Sequence, residues 1–79
     1  METRTRILAT LVSAAQSNVE RHLMNVEVLL SNPVGVGEHP DIMETIEGEI
    51  DKMEKHLSRR NILQGMMPQP EEAVSGEDS

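Results

Sequence analysis

MNVEVLLSNPVGVGEHPDIMETIEGEIDKMEKHL, residues 24–57, is the stretch that decides the fold. It reads as the end of one helix, a constrained turn, and a second helix laid back against the first. Pro33 drives Asn32 out of the helical region and ends the first helix near Leu30. The turn, 31–39, combines Pro33 with Gly35 and Gly37, two positions free to take positive φ. Val34 and Val36 are apolar enough to fold back over the hairpin end. Pro40 suits a first helical position, where its missing N–H costs nothing. Met43, Ile46, Ile50, Met53 and Leu57 then recur at spacings of three and four, a coiled-coil-like seam with Ile42 beside it. Asp41, Glu44 and Glu47 lie early in this helix and Lys55, His56, Arg59 and Arg60 late, which complements the helix dipole. The second helix is therefore expected over about 40–60, with an extension to 64 left open.

Upstream, successive residues placed 100° apart put Leu8, Leu11, Val12, Ala15, Val19, Leu23, Val26, Leu29 and Leu30 on one stripe roughly 120° wide. This predicts a first helix over about 3–30. Met24 and Val28 fall on the opposite face, either as tolerated surface residues or as a second contact face. Gly48 lies away from the seam, tolerated there or marking the approach of another helix. Beyond Leu57, Ile62, Leu63, Met66 and Met67 leave the seam, and Gly65 suits a C-terminal cap. These apolar residues are either a frayed end or a hook for a neighbouring subunit. Residues 68–79 are Pro-rich and acidic with almost nothing to bury, the composition of a disordered tail.

The fold class expected is all-α: an antiparallel two-helix hairpin, 1–67, completed by oligomerisation or a partner, with a disordered acidic tail. Completion is expected because two helices of this length cannot bury all the apolar side chains they carry. The residues expected at an oligomer or partner interface are Leu8, Leu11, Val12, Val19, Leu23, Val26, Leu30, Met43, Ile46, Ile50, Met53 and Leu57. Glu38, His39 and Asp41 are expected at an exposed turn tip.

Composition narrows the function classes. Among 79 residues there is no Cys, Phe, Tyr or Trp, so neither a disulfide nor a thiolate metal site is available. Fourteen acidic residues against seven basic ones give a net charge of -7, which argues against nucleic-acid and anionic-membrane surfaces as partners. No apolar run is long enough to span a bilayer. The three histidines lack the His-x-x-x-His or Glu-x-x-His spacing of a metal site within one helix. A hairpin pivoting near Val36 sets His22 level with Ile50, away from His39 and His56. Gly35-Val36-Gly37 is not a phosphate cradle, since no strand precedes it, no Lys follows, and Glu38 and Asp41 repel anions. No nucleophile–base pair is evident. The chain is expected to be non-enzymatic, with no cofactor.

Met24-Asn25-Val26-Glu27-Val28, then Asn32-Pro33-Val34-Gly35-Val36-Gly37-Glu38-His39 and Asp41-Ile42, resembles a group of small uncharacterised proteins of tailed bacteriophages, notably contractile-tailed phages of cyanobacteria. The resemblance spans 24–57 and is most specific in the turn. It implies a phage origin and places the protein in the host cytoplasm or the virion, but it assigns no residue a role. The expected function is that of a helical assembly or accessory subunit, a homo-oligomer or a clamp on a larger phage or host protein. The alternative, from another class, is an intracellular anti-defence or host-takeover protein. Such a protein would bind a host protein or hold a signalling nucleotide between subunits, which requires basic groups to converge.

Overall fold

The computed structural model describes residues 2–32 and 41–68. It consists of two antiparallel helices, α1 (Thr3–Ser31) and α2 (Ile42–Met66), packed along their length as a hairpin. The expectations for Pro33, Val34, Gly35, Val36, Gly37, Glu38, His39 and Pro40 fall outside the described residues, as does the tail from Gln69 onward.

Each helix begins on a side chain that satisfies an N–H its first turn would leave unpaired. Glu2 caps α1: its carboxylate accepts from the Arg4 backbone N–H at 3.1 Å and from the Thr5 hydroxyl. Those bonds, the Thr5 hydroxyl first, hold the Glu2 carboxyl below its ordinary value against the opposing effect of partial burial. At the other end Asn32 leaves helical geometry with φ -145°, as the following proline requires, and its N–H still closes on Val28 O at 2.9 Å.

Asp41 caps α2 by accepting from the Glu44 N–H at 2.9 Å, and the Thr45 hydroxyl donates to the Asp41 carbonyl. The first helical residue is thus Ile42, two later than Pro40. Asp41, expected at the turn tip, is exposed, and its carboxylate serves the helix start. At the far end α2 continues past 60 and 64 to Met66 and takes in Gly65, which is therefore not the cap; Met67 is. Neither Gly48 nor Gly65 is closely approached, since a Cβ built on either meets nothing within 4 Å.

The core is thin. Leu8, Ala15, Val19 and Val26 of α1 are its buried side chains, and α2 contributes half-buried ones. His22 reaches Glu49, the neighbour of Ile50, about where a hairpin pivoting near Val36 sets it, and it also meets His56 farther along α2.

A polar layer in the hairpin seam as the candidate functional site

A heptad seam advances alternately by four and three residues. On α1 the inward positions are Leu8, Val12, Ala15, Val19, His22, Val26 and Leu29, all buried or half-buried. On α2 they are Ile42, Ile46, Glu49, Met53, His56, Arg60, Leu63 and Met67, all half-buried. Both series are unbroken, and each places polar residues where a plain hairpin would place Leu. Ile50 and Leu57 flank the α2 seam. Met43, expected in it, is 73% exposed, because Ile42 takes the inward position. Leu63 and Met67, expected to leave the stripe, continue it once Arg60 is counted as an inward residue.

The polar residues meet. His22 Nδ1 lies 2.7 Å from Glu49 Oε1, an ion pair when the ring is protonated, with side chains only 12% and 18% exposed. Asn25 Nδ2 donates to the same carboxylate oxygen at 3.0 Å. The Asn25 and His22 hydrogen bonds, in that order, hold the Glu49 carboxyl below its ordinary range. On its other side His22 stacks on His56, with ring centroids 5.7 Å apart and planes 9° from parallel. The sequence expectation that His22 and His56 stay apart is therefore overturned, because both occupy inward seam positions from which the rings reach each other. About one turn beyond His56, Arg60 donates to Gln16 Oε1 at 2.6 Å, and Gln16 in turn donates to Glu20 at 2.9 Å.

His56 is the unsatisfied member of the layer. Its Nδ1 is buried and finds no hydrogen-bond partner. Withdrawal of the ring from water lowers its proton affinity first, and the charges of Arg59, His22, Lys55 and Arg21 lower it further. Arg21, Lys55 and Arg59 are all exposed around this ring, and Lys52 lies near Glu49. Among the described residues the His22–Glu49 contact is the one ion pair, so Arg21, Lys55 and Arg59 have no anionic partner there, while Lys52 acts on Glu49 only through its charge.

The arrangement does not resemble a metal centre. Parallel stacked rings direct their nitrogen lone pairs side by side, and His22 Nδ1 is already engaged. Among the described residues no three His, Asp or Glu side chains are placed to hold an ion. Two open grooves, lined by Thr3, Ile7 and Leu11 and by Glu54, Leu57 and Ile62, each run along a single helix.

Of the remaining expected interface residues, Leu8, Val19 and Val26 are buried between the helices, and Val12, Ile46, Ile50, Met53 and Leu57 are half-buried. Leu11, Leu23 and Leu30 border the stripe and stay outside, Leu30 59% exposed. His22, Asn25, Glu49, His56 and Arg60 were absent from the expected site. The signal that finds His22, Glu49, His56 and Arg60 is the strict four–three spacing counted through polar residues as well as apolar ones; Asn25 is exposed at the edge of the seam and lies outside that series.

Fold and site together define the class: a helical hairpin with an antiparallel coiled-coil seam and a polar layer within it. Comparison with protein-family models, with curated proteins and with solved structures finds no match. No helix among the described residues is long and apolar enough to cross a membrane.

Proposed function

We propose that this chain is a non-enzymatic, self-associating phage protein, a helical assembly or accessory subunit whose exposed apolar side chains are covered by other copies or by a larger partner. One observation carries the reading. Among the described residues no large side chain is fully buried, whereas Ile7, Leu11, Leu23, Met24, Val28, Leu30, Met43, Ile62 and Met66 are about half exposed or more. Scattered apolar residues on a surface need no explanation, but a surplus of this size beside so thin a core does. The turn motif's resemblance supports the phage origin. Sedimentation at micromolar concentration should give a mass above that of the monomer. Replacing Met24 and Val28 together by Glu should return it to one chain without loss of helicity. A cooperatively melting monomer refutes the reading.

A second reading, an intracellular anti-defence protein that holds a small signalling nucleotide between copies, is favoured by a different observation. Arg21, Lys55 and Arg59 surround His56 without anionic partners of their own in the described chain, in a protein with twice as many acids as bases. Convergent basic groups are what a phosphate-bearing ligand requires. Calorimetric titration with a panel of mono- and dinucleotides tests it, with Arg59→Glu as the variant that should abolish binding. Mass spectrometry of purified virions separates the two readings, since only the first requires a stoichiometric virion component.

A further inference from the structure

The exposed cations also have a candidate partner closer at hand. Lys52, Lys55 and Arg59 are spaced by three and four residues, so they form one stripe on α2, and Arg21 lies beside it, next to the His22 ring that stacks on His56. All four are exposed, and together they are four of the seven Lys and Arg residues of the whole chain. Residues 69–79, QPEEAVSGEDS, carry four acids, Glu71, Glu72, Glu77 and Asp78, and no base. We propose that this acidic segment docks across the basic stripe of its own chain.

Length and direction agree with the charges. At about 1.5 Å of rise per residue, Arg59 lies roughly 10 Å back along the helix from Met66 and Lys52 roughly 21 Å back. Eleven residues reach about 36 Å when extended, so the segment spans the stripe with length to spare. Pro68 cannot continue α2, and Met67 has already turned to extended geometry, φ -71° and ψ 152°, so the chain is released from the helix axis just before the acidic residues begin. The acids nearest the stripe leave it available: Glu49 is hydrogen-bonded by His22 and Asn25 and feels Lys52 only through its charge, Glu20 is engaged by Gln16, and Asp51, one turn before Lys55, makes no ion pair with it. The docked segment would occupy the same cations as an external anion, so its place does not depend on which functional reading holds.

The experiment uses the full chain, and its variants lie outside both helices. The chain has no Cys, so Ser79→Cys carries a single nitroxide label. At low ionic strength the amide signals of Arg21, Lys52, Lys55 and Arg59 should lose most of their intensity relative to the reduced label. Broadening should vanish in ~0.5 M salt, where screening acts within a few ångströms. It should vanish equally when Glu71, Glu72 and Glu77 become Gln and Asp78 becomes Asn. Broadening confined to the last turn of α2 overturns the proposal, as does broadening that survives both salt and neutralisation. A mixture of isotope-labelled, unspin-labelled chains with spin-labelled, isotopically silent ones provides the last control. Neighbouring copies in an assembly broaden one another weakly, but broadening in that mixture as strong as within the fully labelled chain places the segment on a different copy and overturns docking within one chain.

Discussion

Replacing Gly48 by Ala is the cleanest perturbation of the hairpin. Gly48 lies in the seventh position of α2, well inside the helix, and a Cβ there meets nothing within 4 Å. No packing penalty therefore offsets the gain in helix propensity, which is about 1 kcal/mol for Gly to Ala in a helix interior. For a domain of this size that gain raises the melting temperature by roughly 4–8 °C. The assay is far-ultraviolet circular dichroism followed through a thermal transition, repeated over a hundredfold range of protein concentration. Gly65→Ala serves as the internal comparison: it is equally uncrowded but sits in the last turn, where fraying reduces the gain. A fall in melting temperature for Gly48→Ala would refute the reasoning. If the fall were confined to high concentration, the space beside Gly48 would belong to another copy in the assembly.

The polar layer predicts acid sensitivity. The folded state lowers the proton affinity of His56, so the unfolded chain binds its proton first. Stability should be full above the ordinary value of 6.5 and decline as pH falls below it. Glu49, also lowered, contributes stability that is present above 4.5 and is lost as pH falls through its folded value. His56→Leu should remove the upper part of this decline and leave the lower. A melting temperature that is flat from about pH 7 to pH 5 in the parent protein would contradict the sign of the His56 effect. Val26→Ala, at a buried seam position, should cost about 1–2 kcal/mol in chemical denaturation, whereas Val28→Ala on the outer face should cost near zero in the monomer. Equal losses would mean that the outer face is covered. Ending the chain at Asn61 should lower the melting temperature well below that of a chain ending at Pro68, because Leu63 and Met67 belong to the seam. Identical melting of the two truncations would remove them from it.

Local chemistry and apolar periodicity settled most of the architecture without any tertiary information. Asn32-Pro33 stops α1 because a proline excludes helical geometry from the residue before it, and the stripe from Leu8 to Leu29 defines which face turns inward. What periodicity could not decide was register. A heptad fits several alignments that differ by a few residues, and packing across the two helices chooses among them. Asp41 rather than Pro40 supplies the start of α2, through a carboxylate–amide hydrogen bond to Glu44. The packing brings His22 against His56 and Glu49, and with them it creates the candidate site. Met43 and Ile42 show the same limit on a smaller scale: adjacent residues 100° apart are equally apolar, and only the packed partner selects which one faces it. His22, Glu49, His56 and Arg60 were hidden for a related reason. A search for apolar side chains skips a polar residue at a seam position, although the geometry that buries it is the same. Whether such a residue finds a partner is decided across the interface: Glu49 finds two, and His56 Nδ1 finds none.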